Sequence, residues 1–125
     1  MLIADDDPNI LRALSFLMRE QGYAVRTATD GAQALAAIEK DRPDLVLLDV
    51  MMPRSNGYDV CRTLRASPAY DDVRIVILTA RGQDSERSLG LEVGADAYIT
   101  KPFAISDVVD CVDSVLAAGA GRRGA

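Results

Sequence analysis

The chain is expected to fold as a doubly wound α/β domain around a parallel sheet, and three observations predict it. Short apolar runs recur without polar interruption, clearest at Leu45-Val46-Leu47-Leu48. Such runs suit strands buried on both faces, although four residues alone do not exclude a buried helix segment. Between the runs the apolar residues adopt helical spacing, giving five strands alternating with five helices, each pair spanning about 20 to 25 residues, the pattern of right-handed crossovers. Finally, the runs end on chemically active residues, and in open α/β folds ligands bind at the carboxyl edge of the sheet.

Residues 2 to 5, Leu-Ile-Ala-Asp, read as a short buried strand. Asp7-Pro8 is an N-cap and first-turn pair, and Ile10, Leu11, Leu14, Leu17 and Met18 continue a helix until Gly22 closes it. Tyr23 to Ala28 reads as the second strand. Asp30-Gly31 precedes Ala34, Leu35 and Ile38, an amphipathic helix of about ten residues that stops before Pro43. The third strand, from Leu45, ends on Asp49 and breaks into the turn from Pro53 to Gly57. Val60, Cys61 and Leu64 then mark a third helix ending near Ser67-Pro68.

Arg74 to Thr79 is a fourth strand that ends on a hydroxyl. Ser85 to Val93 is a weaker helix with Gly90 inside it and only Leu89, Leu91 and Val93 as apolar anchors, so packing must supply its stability. Ala97 to Thr100 is a short fifth strand, broken by Lys101-Pro102. Ile105, Val108, Val109, Val112, Val115 and Leu116 form the strongest helical stripe in the chain. Residues 1–118 are read as one domain and 119–125 as a flexible tail or the start of a linker.

Composition narrows the function. At 125 residues the chain is one domain, long enough to bury about two thirds of its unfolded surface without staples. Its net charge of -5 argues against a nucleic-acid surface, which needs a clustered basic face. Cys61 and Cys111 lie in helical stretches and read as two buried thiols of a reducing compartment. No apolar run reaches membrane-span length and no signal peptide is read at Met1-Leu2-Ile3-Ala4, so a cytoplasmic protein is expected. The absence of histidine removes Ser-His-Asp and Cys-His catalysis, histidine-ligated zinc and a phosphohistidine role. Carboxylate, lysine and hydroxyl remain.

In a parallel sheet the strand ends gather on one edge: Asp5, Asp6 and Asp7 after the first strand, Asp49 after the third, Thr79 after the fourth and Lys101 after the fifth. Each has a plainer reading. Asp7 is a helix cap, Asp49 is a structural cap, Thr79 bonds backbone at a strand end, and Lys101 is a surface lysine. Jointly, they point to a site. Clustered carboxylates repel one another unless a cation sits between them, and oxygen-only ligands select a hard ion such as Mg²⁺. A carboxylate beside such a cation, an ammonium and a hydroxyl makes a phosphoryl site, in which a carboxylate can act as nucleophile.

The segments Leu-Ile-Ala-Asp-Asp-Asp-Pro (2–8), Leu-Val-Leu-Leu-Asp-Val-Met-Met-Pro (45–53) with Gly57, Ile-Val-Ile-Leu-Thr-Ala (75–80), Gly-Ala-Asp-Ala-Tyr-Ile (94–99) and Thr-Lys-Pro-Phe (100–103) occur in order across nearly the whole chain. Together they resemble the receiver domain of bacterial two-component response regulators, including the chemotaxis regulators. The resemblance implies a flavodoxin-like (βα)5 fold with strand order 2-1-3-4-5. It implies Asp49 as phosphoacceptor, Asp5 and Asp6 as the acidic pair holding Mg²⁺ together with Asp49, and the Met51 carbonyl as a further ligand. Thr79 would bond a phosphoryl oxygen and Lys101 would pair with the phosphorylated carboxylate. Lys101-Pro102 matches the family's cis peptide. Tyr98 matches an aromatic switch, against the plainer reading of a half-buried strand tyrosine.

By the same resemblance the phosphoryl donor is a sensor histidine kinase or a histidine phosphotransfer protein. The response is a reshaped face of the fourth helix, fifth strand and fifth helix, addressed to an output domain or protein. Some features depart from the pattern. The basic lead-in before the first strand is absent, and the fifth helix carries Asp107, Asp110 and Asp113 with no arginine before Arg122, leaving incomplete the charge ladder used for dimers by DNA-binding regulators. Met51 and Arg81 flank the path of a hydrolytic water and are expected to influence phosphate lifetime. The alternative function is a Mg²⁺-dependent phosphatase with an aspartyl-phosphate intermediate. It is disfavoured because the position two after Asp49, usually a second aspartate in such enzymes, is Met51. A degenerate receiver acting only as an interaction domain is disfavoured because every site position is filled. The only catalysis expected is self-phosphorylation and autodephosphorylation at Asp49.

Overall fold

The computed structural model describes residues 1–50, 57–79, 94–100 and 103–123, with residue 105 and residues 118–123 described by backbone alone. Strand β1 (Leu2–Ala4) leads to helix α1 (Pro8–Glu20), β2 (Arg26–Ala28), α2 (Gly31–Lys40), β3 (Leu45–Asp49) and α3 (Gly57–Arg65). A 3-10 turn (Pro68–Tyr70), β4 (Arg74–Thr79), β5 (Ala97–Thr100) and the C-terminal helix α4 (Ile105–Arg123) follow. The five strands form one sheet in the order β2-β1-β3-β4-β5. Every pairing is parallel. The expected fold class and strand order are therefore correct. The helix expected over 85–93 lies outside the described residues.

The uninterrupted apolar runs are explained by burial on two faces. Leu2, Ala4, Val46, Leu48, Ile75 and Ile77 point to the side carrying Ala34 and Ile38 of α2 and Val60, Cys61 and Leu64 of α3. The alternate residues Ile3, Leu45, Leu47, Val76 and Leu78 point to Leu11, Leu14 and Met18 of α1 and Val108 and Val112 of α4. All five residues of β3 and all six of β4 are buried. These two strands form the rigid centre of the sheet.

Helix starts follow the expected chemistry. The Asp7 carboxylate accepts the Asn9 amide at 2.9 Å, with Pro8 in the first turn. Asp30 accepts the Gln33 amide at 2.8 Å at the start of α2. Both satisfy donors that a helix leaves unpaired at its amino end.

Several boundaries differ from expectation, each for a local reason. β2 begins at Arg26 and not Tyr23, because the Tyr23 amide bonds the Met18 carbonyl at 3.0 Å and keeps the chain wound on the end of α1. β1 ends at Ala4, because the Asp5 carboxylate turns back to accept the Asp7 amide at 2.9 Å. The backbone of α4 runs to Arg123, beyond Leu116 where the apolar stripe stops; Ala117, Ala118 and Ala120 favour this extension and Gly119 and Gly121 do not. Both cysteines are free thiols, but Cys111 is only half-buried where full burial was expected. Among the described residues, no helix is long and apolar enough to cross a membrane.

Candidate functional site

The site forms at the carboxyl edge because the registers of three central strands bring their ends level. Ala4 of β1 pairs with Leu48 of β3, so Asp5 and Asp49 leave the sheet side by side. Asp49 itself pairs with Leu78 of β4, so Thr79 projects from the next position on the far side of Asp49. On the outer strand Thr79 pairs with Thr100. The chain entering Lys101 therefore leaves β5 beside Thr79.

Two carboxylates at this edge are buried: Asp5 is 0% exposed and Asp49 3%. Asp6, two residues beyond the strand, is exposed. One carboxylate oxygen from each of Asp5, Asp6 and Asp49 lies within 4.8 Å of the others. Thr79, at the end of the neighbouring strand β4, is 4% exposed. The structure thus brings Asp5, Asp6 and Asp49 together, and it places Thr79 at the neighbouring strand end, one residue after the partner of Asp49. Asp7, by contrast, caps α1, its plainer role.

Asp49 is fixed by the chain around it. Its neighbour Val50 donates its amide to the Leu78 carbonyl at 3.0 Å and accepts the Gly57 amide at 3.0 Å. Gly57, the first residue of α3, lies so close to β3 that an added Cβ would sit 2.5 Å from the Asp49 carbonyl oxygen. A glycine is therefore required where α3 starts. Asp5 is held by the Asp7 amide and donates its own amide to the Ala28 carbonyl at 3.1 Å.

Three carboxylates that meet at a nearly dry edge repel one another, and positive charge placed among them relieves that repulsion. The donor set is all oxygen, with no sulfur or imidazole, and one carboxylate opens to solvent where a hydrated ion could retain waters. These features fit a small hard cation. Met51, Lys101, Pro102 and Arg81 lie outside the described residues, and with them the expected carbonyl ligand, ammonium and cis peptide. Tyr98 is half-buried, opposite Ile77 in the ladder and packed against the α2–α3 core.

Sequence reasoning overlooked a polar junction below the site. The Arg65 guanidinium, at the end of α3, pairs with Asp96 at 2.9 Å just before β5. Asp96 lies inside the segment 94–99 that carried the resemblance, which was the available signal. Arg65 offered none, since an arginine in the last turn of a helix ordinarily faces solvent.

Residues 1–113 match the response regulator receiver domain family. The chain is 48% identical over 109 residues to the response regulator MprA of Mycolicibacterium vanbaalenii, an alignment covering 87% of this chain and 46% of that protein. It is 44% identical over 116 residues to the MprA of Mycobacterium leprae, covering 93% of this chain and 50% of that one. The chain thus spans about half the length of these relatives. Among solved structures it is similar to the chemotaxis response regulator CheY4 of Vibrio cholerae, with a TM-score of 0.87, 32% identity and coverage of 91% and 95% of the two chains. It is also similar to the receiver domain of the sensor histidine kinase PA1611 of Pseudomonas aeruginosa, a structure with a magnesium ion coordinated in the active site cleft, at a TM-score of 0.84, 29% identity and coverage of 93% and 95%. The chain belongs to the response regulator receiver domains of two-component systems.

Proposed function

We propose that this receiver domain is a phosphorylation-activated switch that accepts a phosphoryl group on Asp49 from a sensor histidine kinase or a histidine phosphotransfer protein. The observation that carries this reading is the convergence of Asp5, Asp6 and Asp49 within 4.8 Å, with Thr79 on the adjoining strand end. Asp5, Asp6 and Asp49, with the Met51 carbonyl, would hold Mg²⁺, in keeping with the ion in the related PA1611 domain. When bound, that ion supplies positive charge to the phosphoryl oxygens.

The residues divide the work. An Asp49 carboxylate oxygen attacks phosphorus while the bond from phosphorus to the donor imidazole nitrogen breaks, and the electron pair leaves with the imidazole. Thr79 donates its hydroxyl hydrogen to a phosphoryl oxygen, and the Lys101 ammonium pairs with the new acyl phosphate. Burial of Asp49 and its fixed backbone keep the nucleophile in position for an in-line approach. The added charge draws Thr79 towards the phosphoryl group, and Tyr98 follows inward, so the face around β5 and α4 changes for its output domain or protein. Met51 and Arg81, flanking the route of attacking water, govern the lifetime of the phosphate. The domain occupies residues 1–118, with 119–125 as a tail or linker, and works in the cytoplasm.

Acetyl phosphate with Mg²⁺ tests the metal side of this reading. Labelling is expected to need the cation, and Asp6→Asn is expected to slow it by about tenfold or more at subsaturating Mg²⁺, the scale of lost metal-site interactions. Equal labelling in excess chelator would contradict the assignment. Lys101→Ala is expected to leave Mg²⁺ binding largely intact while uncoupling phosphorylation from the conformational change, read by amide NMR with beryllofluoride. A full set of unsubstituted-chain shift changes in that variant would remove Lys101 from the mechanism.

A further inference from the structure

The outer strand β5 presents a problem of register. β3 and β4 are buried throughout, so a slip in either would have to repack close-fitting side chains on both faces. β5 has four residues, of which only Ile99 is buried. It pairs with β4 on one side and lies at the sheet edge. Such a strand is weakly specified by burial, and a one-residue slip would turn every side chain to the opposite face. Yet its register is functionally demanding, because Tyr98 must lie opposite Ile77, and Thr100 opposite Thr79.

A polar junction at the amino end of β5 answers this demand. Asp96 donates its backbone amide to the Ile75 carbonyl at 2.8 Å, and its side-chain Oδ2 accepts the Ile75 amide at 2.8 Å. Ile75 is thereby closed by a single residue, immediately before the first regular pair of Val76 with Ala97. The same Oδ2 accepts Nη2 of Arg65 at 2.9 Å. Arg65 also donates Nε to the Gly94 carbonyl at 2.9 Å and Nη1 to the Tyr70 carbonyl at 3.1 Å. Its side chain is 20% exposed, and that of Asp96 is 9% exposed.

The local backbone is shaped to this guanidinium. Gly94 has φ +93°, and a Cβ there would lie 2.7 Å from Arg65 Cγ. One planar cation therefore ties the end of α3, the turn before β4 and the approach to β5. A lysine, with a single ammonium, does not reproduce the fork.

We propose that Arg65 and Asp96 are positioning residues that set the register of β5 on β4, and so determine where Tyr98 and the chain entering Lys101 stand relative to Asp49. They act through the strand and touch no reacting atom, since Asp96 is four residues from Thr100, about 13 Å along an extended chain. The consequence for signalling rests on the proposed phosphoryl switch; the register role does not.

The test compares Arg65→Ala, Arg65→Lys and Asp96→Asn with the unsubstituted full chain. Amide hydrogen exchange in the absence of ligand is expected to accelerate by about tenfold over Ala97–Thr100 in Arg65→Ala, the scale of one lost charge-assisted hydrogen bond. Exchange in β1 and β3, and the Mg²⁺ Kd, are expected to stay within about twofold, because those strands carry the carboxylates and do not touch Arg65. Labelling by acetyl phosphate is expected to slow as exchange accelerates, and Arg65→Lys to recover only part of the loss. Asp96→Asn keeps an oxygen for the Ile75 amide while removing the charge, and it supplies the same comparison if Arg65→Ala does not fold. Unchanged exchange in β5, or equal acceleration in all five strands, would overturn the proposal. If the unsubstituted chain is not labelled on Asp49, the phosphoryl reading fails, and the exchange comparison still decides the register role.

Discussion

A methyl group on Gly57 would meet the Asp49 carbonyl oxygen at 2.5 Å and the Val50 Cα at 3.1 Å, both main-chain atoms that cannot swing aside. Gly57→Ala is therefore expected to push α3 away from β3 and cost roughly 1–3 kcal/mol, as overpacking of a tight interior does. Urea denaturation measures this, and unchanged stability would mean that the junction is looser than its geometry. Cys61 offers a second test at this scale. Burial pushes its thiol pKa up to about 11 from an ordinary 9.0. The folded chain thus holds this proton more tightly than the unfolded chain. The contribution is present in full below pH 9 and is lost as pH rises through 11, at on the order of 1 kcal/mol per pH unit. Cys61→Ala, though less stable near neutrality, should show a flatter decline over that window. Parallel profiles would remove the thiol as its cause.

At the scale of elements, what could be read in the sequence was whatever the local pattern dictates. The unbroken runs of β3 and β4 required helices on both faces, and α1 and α2 announced their starts through Asp7-Pro8 and Asp30. Asp7→Ala should lower stability by about 1 kcal/mol in thermal or urea unfolding, the usual cost of a lost N-cap. It should leave Asp5 in place, since Asp5 is held by the Asp7 backbone amide. No change in stability would mean that the capping bond contributes nothing. Boundaries set by distant partners were not legible. Tyr23 and Val25 alternate like a strand, yet Tyr23 bonds to Met18, and its hydroxyl donates to Asp113 of α4 at 2.8 Å. The end of α4 was not legible either, because the apolar stripe stops at Leu116 while the helical backbone continues to Arg123.

For the molecule as a whole, a parallel topology converts a one-dimensional signal into a site. Asp5, Asp6, Asp49 and Thr79 are scattered through the sequence, but each closes or follows a strand, and the sheet brings those ends to one edge. That inference needed only strand direction. The support behind the site was less visible: the approach of Gly57 to Asp49 and the Arg65–Asp96 junction depend on how α3 lies across β3, β4 and β5, which no local pattern encodes. The most direct measurement of the central proposal is peptide mapping of the chain after reaction with acetyl phosphate and Mg²⁺, run beside Asp49→Asn. The expected result is a phosphoryl group on the peptide containing Asp49 and no label in the variant; label retained by Asp49→Asn, or mapped to another residue in the unsubstituted chain, would contradict it.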